Sequence, residues 1–406
     1  MAGEWITLHL GNVCSKIGSG ATPRGGSSVY LDEGEIALIR SQNVYNDGFH
    51  HDGLTYLTEQ HAAELSNVEV AEQDVLLNIT GDSVARSCQV DPDILPARVN
   101  QHVAIIRSDP TVLWPRFLRY YLVSPAMQAE MLSLAGAGGT RNALTKGMIE
   151  SFEIPAPADV AEQRAIAHIL GTLDDKIELN RRMNETLETI AQAIFKSWFV
   201  DATQDGLPEG WRAVPLPEAI EVNPTRSLRK GEVAAYLDMA NMPTRSARAL
   251  EVYGREFGSG MRFVDGDTLV ARITPCLENG KTCFVDFLGS GKVGWGSTEY
   301  IVLRSKPPLP PEFAYFLART EDFRSFAISN MTGTSGRQRI PADCFNHFQI
   351  VVPPAEIAGR FGQVAGTALS KMKANDEESR TLSAIRDTLL PKLLSGEMRL
   401  RGVWRK

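Results

Sequence analysis

Residue types that could support phosphate or metal chemistry occur in three short segments: Gly280-Lys281-Thr282, Gly291-Lys292 and His50-His51. Gly280-Lys281-Thr282 matches the end of a phosphate-binding loop, in which the lysine contacts phosphate and the hydroxyl binds Mg²⁺. That pattern requires a glycine at position 275. Pro275 stands there instead and lacks the backbone freedom and the N–H donor that the loop needs, so we interpret the segment as a turn. The pair His50-His51 could bind a metal, but no cysteine or third histidine lies near it, which favours a loop.

Motifs for methyl transfer are also missing. The chain contains no Asn-Pro-Pro-Tyr or Asp-Pro-Pro-Tyr to hold a flipped adenine, and no Gly-x-Gly-x-x-Gly follows a clear strand. Gly291-Lys292 fails as a second phosphate loop, because Asp286 occupies the position of its first glycine. We therefore expect no catalytic residues, no metal site and no cofactor in this chain.

Composition indicates an intracellular protein with more than one domain. A length of 406 residues favours two or three domains, and 43% hydrophobic residues allow sizeable cores. No apolar run approaches the roughly 20 residues that span a bilayer, and the first residues do not resemble a signal peptide. The five cysteines are scattered without a Cys-x-x-Cys pair, which argues against disulfides and zinc and favours the cytoplasm.

The net charge of −7 is distributed unevenly along the chain. Residues 1–205 carry 15 basic and 27 acidic side chains, a net charge of −12, whereas residues 206–406 carry 27 and 22, a net charge of +5. An acidic surface can face protein partners while local arginine and lysine loops face phosphate. Charge alone does not predict a nucleic-acid partner.

The sequence contains one unit written twice. The string at 101–108 reappears at 298–305, an offset of 197, and Phe152-Glu153-Ile154 reappears as Phe348-Gln349-Ile350, an offset of 196. The glycine-rich loops 138–142 and 334–338 also match at an offset of 196. Ordered matches at a nearly constant offset indicate an internal duplication. Between them, short β-branched runs bounded by turn residues predict strand-rich globular domains.

Each half ends in a heptad pattern of apolar residues. In the first half the pattern runs from Ile166 to Trp198 with alternating spacings of four and three, and the second half repeats it at an offset of 195. Each pattern has polar interruptions near its middle, at Asn180 and Asn375. A single such helix could lie on its own domain, but two with matching polar positions favour mutual pairing. A parallel and an antiparallel pair would both place Asn180 against Asn375. The predicted core positions are Ile166, Leu170, Leu173, Ile177, Asn180, Leu187, Ile194, Phe361, Met372, Asn375, Leu382 and Leu389.

At this point the chain resembles the DNA-specificity (S) subunits of type I restriction–modification systems. The resemblance rests on two variable domains alternating with two similar helices. It also rests on short strings such as Gly18–Pro23, Asn100-Gln101-His102 and Asn223-Pro224-Thr225, and it covers essentially the whole length. It implies an α+β fold with two strand-rich target-recognition domains, at 1–157 and 202–354. Two conserved helices at 158–201 and 355–400 would form an antiparallel coiled coil between them, related by a pseudo-two-fold repeat.

The resemblance also implies a function and a set of partners. Each recognition domain would read one half of a bipartite site in double-stranded DNA, and the helices would dock two methyltransferase subunits. Those partners would methylate adenine N6 with S-adenosylmethionine, and motor–nuclease subunits using ATP and Mg²⁺ would cut unmethylated DNA. The chain itself would be a non-catalytic subunit.

Polar loops with embedded basic and amide residues are the candidates for contact with DNA. Arginine and lysine bind phosphate, arginine pairs with guanine, and asparagine or glutamine pairs with adenine in the major groove. Arg141 and Arg337 recur at the same point of each repeat. For each candidate a solvated loop charge is the alternative, and Asn100-Gln101 could instead brace the following strand. The predicted DNA-binding residues are Thr22, Arg24, Arg40, Gln42, Asn43, Arg86, Arg141, Asn142 and Lys146 in the first half, and Arg226, Arg229, Lys230, Arg245, Arg272, Lys281, Arg337, Gln338 and Arg339 in the second.

Two other functions compete with a DNA reader. A non-catalytic coiled-coil scaffold could use its globular domains to bind protein or carbohydrate, and the acidic first half is compatible with that role. An autonomous nuclease or methyltransferase is disfavoured by the missing motifs. A DNA gel shift with the purified partner would distinguish the scaffold from a DNA reader. An activity assay of the isolated chain would test whether it is an autonomous enzyme.

Overall fold

The computed structural model describes residues 4–136, 142–334 and 336–400. The chain forms two compact units. Unit 1 comprises Met1–Ile177 and Arg380–Lys406, and unit 2 comprises Glu178–Ser379. Both boundaries between the units fall inside long helices, so each unit contains a segment of both helices.

Unit 1 is built from two four-stranded sheets and one two-stranded sheet. Their orders are β2-β9-β6-β7, β4-β3-β8-β5 and β1-β10, and β3 and β8 run parallel. The bounds in chain order are β1 Trp5–His9, α1 Leu10–Val13, β2 Cys14–Ser19, β3 Ile36–Ile39, β4 Thr55–Leu57, α2 Glu59–Glu64, β5 Glu69–Val70, β6 Val75–Asn78, β7 Ser87–Gln89, β8 Ala97–Val99, β9 Val103–Ser108, α3 Pro115–Leu122, α4 Pro125–Gly136, α5 Lys146–Glu150, β10 Glu153–Pro157 and α6 Val160–Phe195.

Unit 2 repeats this topology strand for strand. Its sheets have the orders β12-β19-β16-β17, β14-β13-β18-β15 and β11-β20, and β13 and β18 again run parallel. The bounds are β11 Arg212–Pro215, α7 Leu216–Ala219, β12 Ile220–Val222, β13 Val233–Leu237, β14 Tyr253–Glu256, β15 Met261–Phe263, β16 Thr268–Ala271, β17 Thr282–Phe284, β18 Gly294–Gly296, β19 Tyr300–Ser305, α8 Pro311–Ala318, α9 Glu321–Ser329, β20 Gln349–Val352 and α10 Ala355–Leu394.

The central strands of each unit are buried on both faces. Along β9, Ala104 and Ile106 pack into the core with the helices, whereas Val103 and Ile105 pack against the second sheet. Strand β19 alternates in the same way. Successive side chains of a strand point to opposite faces, so a strand between two cores is apolar at nearly every position. This explains the unbroken apolar runs that the sequence repeats.

The long helices α6 and α10 run antiparallel, as contacts within unit 2 show. Asn180 Nδ2 donates to the Asn375 carbonyl oxygen (3.2 Å) and to Glu378 Oε2 (2.9 Å). One turn later, Asn184 Nδ2 donates to Asp376 Oδ1 (2.8 Å), and Asn375 Nδ2 donates to Asn184 Oδ1 (2.8 Å). The partner number falls as the position on α6 rises, which requires antiparallel helices. The α+β class, the internal repeat and the antiparallel helix pair are thus confirmed.

The predicted core positions of the two helices differ in burial. Asn180 and Asn375 are fully buried, and a buried amide with partners fixes the register of a helix pair. Phe195 and Phe199, absent from the predicted set, are buried in the core of unit 2 beside the predicted Phe361. Ile166, Leu170, Phe361 and Met372 are buried, and Leu173, Ile177, Leu187, Ile194, Leu382 and Leu389 are half-buried.

A buried carboxylate holds the two helices together in unit 1. Asp174 of α6 accepts hydrogen bonds from Arg119 Nη1 (2.8 Å), the Tyr120 hydroxyl (2.7 Å) and Arg386 Nη1 of α10 (2.8 Å). Burial raises the pKa of Asp174, but the two arginines and the tyrosine outweigh it, and the pKa lies below its usual value. The ionised carboxylate therefore joins α3, α6 and α10.

Glu188 of α6 gives unit 2 a distinct pH dependence. Burial raises the pKa of Glu188. The hydrogen bond from the Tyr315 hydroxyl and the charge of Arg319 lower it, but they offset the effect of burial only in part. The folded state binds more protons than the unfolded state above pH 4.5, so the unfolding free energy falls as pH rises through the raised pKa. We expect Glu188→Gln to remove this slope.

The measurement is the melting temperature of both proteins from pH 4 to pH 8. The melting temperature of Glu188→Gln relative to that of wild type should rise as pH rises. Glu185→Gln, an equal charge change on the exposed side of α6, should leave the slope in place. Parallel pH curves for wild type and Glu188→Gln would contradict the assignment.

Candidate nucleic-acid interface

An open cleft of about 440 Å³ lies in unit 1 where β6 ends and β7 and β9 begin. Strand β6 is antiparallel to both neighbours, so its carboxyl end lies beside their amino ends. Loops that leave these strand ends surround the cleft. The lining residues are Ser41, Gln42, Tyr45, Thr80, Gly81, Asp82, Ser83, Arg86 and His102.

Arg86 supplies positive charge to this cleft. Its guanidinium lies 4.6 Å from the ring centroid of Tyr45, and the Tyr45 ring stacks on His50 at 4.1 Å with an angle of 21°. A cation over an aromatic face gains about 0.5–1 kcal/mol at exposed sites. The stack therefore holds the guanidinium donors of Arg86 in the cleft, where they could pair with phosphate or a guanine edge.

The loop after β3 contains three predicted DNA-binding residues with different roles. Gln42 is exposed and lines the cleft, and its Nε2 donates to the Gly53 carbonyl oxygen (3.1 Å). Arg40 donates to the same oxygen. Asn43 is fully buried, and its Nδ2 donates to the His50 and Asp52 carbonyl oxygens (2.9 and 3.2 Å). The Asn43 amide therefore braces the loop from inside, and its contact with DNA stays a prediction.

The remaining candidates of unit 1 lie around the same rim or on exposed loops. Asn142 is exposed, and its carbonyl oxygen accepts from the N–H of Gly81, a residue that lines the cleft (3.2 Å). Arg141 lies outside the described residues. Lys146 is exposed and pairs with Glu150 (3.5 Å), and Arg24 lies 3.8 Å from Glu64. Thr22 donates to Gln101 Oε1.

Unit 2 places a basic residue at the point equivalent to Arg86. The backbone N–H of Asn78, the last residue of β6, donates to the Arg86 carbonyl oxygen (2.8 Å). The N–H of Ala271, the last residue of β16, donates in the same way to the Lys281 carbonyl oxygen (3.0 Å). The Lys281 ammonium turns inward and donates to the carbonyl oxygens of Met239 and Ala240. Lys281 therefore supports its own loop, whereas Arg86 faces the cleft.

Gln338 of unit 2 forms the same backbone hydrogen bond as Asn142 of unit 1. The Gln338 carbonyl oxygen accepts from the Thr274 N–H (3.1 Å), and Arg339 forms a two-pronged ion pair with Glu299, with both Nε–O distances at 2.9 Å. The hydrogen bonds and charge of Glu299 raise the pKa of Arg339 further. Arg337 of the same loop is exposed.

Several other basic candidates of unit 2 divide between internal and exposed positions. Arg226 lies 3.3 Å from Asp267, a fully buried carboxylate that Arg304 also contacts at 2.6 Å. Arg226 is therefore part of the internal framework of unit 2, and its contact with DNA stays a prediction. Arg272 is half-buried with its Nε enclosed. Arg229, Lys230 and Arg245 are exposed.

Sequence reasoning missed four residues, three at the cleft of unit 1 and one beside the equivalent loop of unit 2. Tyr45, Thr80 and His102 line the cleft of unit 1, and Glu299 holds the loop of unit 2. His102 and Glu299 correspond at the repeat offset of 197, so the duplication could have identified them. Within the described ranges, no cluster of three or more His, Cys, Asp or Glu side chains is arranged to hold a metal. No helix of the described chain is long and apolar enough to span a bilayer.

Comparison with known proteins shows which proteins the chain is similar to. The family model described as the type I restriction modification DNA specificity domain matches residues 3–189. The chain is 24% identical to the specificity subunit of the type I enzyme HindI from Haemophilus influenzae, over 97% of this chain and 100% of that protein. It is 25% identical to the MjaIX specificity subunit of Methanocaldococcus jannaschii, over 69% and 68% of the two chains. The chain is thus similar to type I restriction–modification specificity subunits, and the family model covers residues 3–189.

A solved structure shows the same fold. The crystal structure of a type I restriction–modification S subunit from M. genitalium matches with a TM-score of 0.58 at 16% identity, over 96% of each chain. The likeness concerns the fold and not the identity of the residues that line the cleft.

Proposed function

We propose that this chain is the DNA-reading subunit of a type I restriction–modification complex. Unit 1 and unit 2 each read one block of a bipartite site. The observation that supports this most is the repeat in three dimensions. At the same strand ends of the same topology, Asn142 of unit 1 and Gln338 of unit 2 accept a backbone hydrogen bond at equivalent points, and amide and basic side chains lie around them. Such side chains at a loop rim suit phosphate contact and base recognition in the major groove.

The helices α6 and α10 bind methyltransferase subunits in this proposal. Leu179 and Ile190 of α6 are 53% and 51% exposed, and Val364 and Ile385 of α10 are 39% and 43% exposed. Aliphatic side chains on the outer face of a helix pair are suited to docking another protein. The catalytic steps belong to the partners: methyltransferase subunits bind S-adenosylmethionine, and motor–nuclease subunits use ATP and Mg²⁺. This chain contributes recognition and assembly and no catalytic residue.

Mapping methylated adenines in DNA from cells that carry this chain and its partner subunits tests the proposal. A bipartite motif with unspecified bases between two blocks is the expected result. Exchange of residues 1–157 for those of a relative should change one block and leave the other. Methylation without a two-block motif would contradict the proposed function.

Arg337→Ala is expected to weaken recognition of one block. Arg337 lies exposed in the glycine-rich loop of unit 2. If its guanidinium contacts a base, loss of the contact should cost about 1–3 kcal/mol, roughly 5- to 150-fold in affinity. If it contacts phosphate, the loss should be equal for every sequence of that block and the salt dependence should become shallower. Competition binding with DNA in which one block is altered at a time, repeated at several salt concentrations, distinguishes the two cases.

The matched control is Arg212→Ala, which removes an exposed arginine of β11. It should leave both blocks unchanged. An Arg337→Ala variant that folds, assembles and binds both blocks like wild type would show that this loop does not contact DNA.

A further inference from the structure

A continuous line of side-chain hydrogen bonds crosses one wall of the cleft in unit 1. The Thr22 hydroxyl donates to Gln101 Oε1, and Gln101 Nε2 lies 3.0 Å from His102 Nε2. On the other side of the ring, His102 Nδ1 lies 2.6 Å from Thr80 Oγ1. Thr80 and His102 both line the cleft. The four residues come from three separate loops, so the line depends on the fold of unit 1.

The direction of each hydrogen bond follows from the donors available. Thr22 donates to the amide oxygen of Gln101, which turns the amide NH₂ toward His102. An NH₂ group can only donate, so His102 Nε2 must accept. In the neutral ring the proton is then on Nδ1, and Nδ1–H donates to Thr80 Oγ1.

The Thr80 hydroxyl proton is thereby directed away from His102. Oγ1 already accepts from the ring, so its own O–H needs an acceptor elsewhere, and among the described residues no side chain or backbone group accepts from it. The wall on which Thr80 lies opens into the 440 Å³ cleft beside Arg86 and Gln42. The O–H is therefore a donor without a protein acceptor among the described residues, on a residue that lines the cleft.

We infer that Thr80 is a specificity-determining residue of unit 1, which donates a hydrogen bond to an acceptor atom on a base edge in the major groove. His102 and Gln101 are positioning residues for that hydroxyl. The inference rests on the proposed function, DNA reading by unit 1. Guanine N7 and O6, adenine N7 and thymine O4 are acceptors on that edge, whereas cytosine presents its N4 amine as a donor. Opposite cytosine the Thr80 O–H would face a donor and stay unpaired, so Thr80 favours acceptor-bearing bases over cytosine at one position of the first block.

Unit 2 lacks this device at the equivalent point. Backbone bridges pair Thr80 with Ala143 in unit 1 and Ile273 with Arg339 in unit 2, so Ile273 occupies the place of Thr80. Glu299 occupies the place of His102, since the Arg272 N–H donates to its carbonyl oxygen (3.0 Å) as the Ile79 N–H donates to that of His102 (3.0 Å). The discrimination made by Thr80 is thus confined to one block.

The test uses the chain in complex with its methyltransferase subunits and duplexes that carry the mapped site. Each position of both blocks is changed in turn, so that a cytosine edge replaces each acceptor-bearing base, and affinities are compared by competition. For the wild-type complex, a cytosine edge at one position of the first block should lower the affinity roughly 5- to 10-fold, because the single hydrogen bond to Thr80 is lost. Thr80→Val should abolish discrimination at that position alone, and Thr80→Ser, which keeps the hydroxyl, should retain it.

Two further substitutions separate positioning from general stability. His102→Phe keeps a ring but removes the donor to Thr80, and it should reduce discrimination at the same position and at no other. Thr80→Ala serves as a second hydroxyl-free variant if Thr80→Val melts below wild type. A 7-deazapurine at the position, when that base is a purine read at N7, should weaken wild type and leave Thr80→Val unaffected.

The outcomes are distinct. Unchanged discrimination at every position in a folded Thr80→Val complex would overturn the inference and leave DNA reading intact. Equal loss at all positions of the block would also overturn it, because that pattern is expected of a purely structural residue. A wild-type complex without preference in the first block would overturn the proposed function and this inference with it.

Discussion

Phe361→Ala is expected to lower the unfolding free energy of unit 2 by about 3–5 kcal/mol. The Phe361 side chain is fully buried where α10 meets α6. Its ring centroid lies 5.4 Å from that of Phe195 and 5.1 Å from that of Phe199. Edge-to-face pairs add to the gain from apolar burial, and the rigid neighbours cannot collapse into the cavity that alanine would leave.

Denaturant unfolding followed by tryptophan fluorescence measures this loss, since Trp198 and Trp211 pack against the same core. Val364→Ala, on an exposed position of α10 one turn away, should change the unfolding free energy by less than about 0.5 kcal/mol. A Phe361→Ala loss below that of Val364→Ala would contradict the central role of this aromatic cluster.

Arg248→Ala is expected to destabilise unit 2 by a similar amount, about 3–5 kcal/mol, for an electrostatic reason. The Arg248 side chain is 5% exposed and joins Asp286, near the recognition sheets, to Asp376 of α10, with Nε 2.6 Å from Asp376 Oδ2. Burial already raises the pKa of Asp286, and Arg248 and Lys373 offset this. Removal of the guanidinium leaves two carboxylates close together without their shared partner.

The control is a neutral triple variant, Arg248→Met with Asp286→Asn and Asp376→Asn. It removes the charges together and should recover most of the stability that Arg248→Ala loses, since breaking a buried pair costs more than replacing it. Urea unfolding at neutral pH measures all three proteins. Equal destabilisation of the single and triple variants would mean that packing by the arginine stem, and not charge, explains the loss.

The duplication made much of the fold predictable from sequence. The strings at 101–108 and 298–305 became β9 and β19, and the heptad patterns became α6 and α10. The parallel pairing of β3 with β8 was not predictable, because these strands are three and four residues long and 57 residues lie between them. The direction of the helix pair required the contacts of Asn184, since Asn180 faces Asn375 in either arrangement.

For the cleft of unit 1, the sequence could predict which types of residue would line it but not which individual residues. Basic and amide side chains in loops identified Arg86 and Gln42, but the same reasoning selected Asn43 and Arg226, which the fold uses internally. The difference depends on a distant partner, such as the buried Asp267 that Arg226 contacts, 41 residues away in sequence. The role of Thr80 depends likewise on His102, which carries no charge pattern of its own.

The division of both long helices between the units bears on how the chain is made. The core of unit 1 includes Leu390, Leu393 and Leu394 together with Ile166 and Leu170, but residues 178–379 of unit 2 are synthesised between them. At roughly 5–20 residues per second, a ribosome takes about 10–40 s to add that stretch. During this interval the core of unit 1 lacks its α10 residues, while unit 2 emerges with both of its helix segments. The first unit in the chain is therefore the last to complete its core.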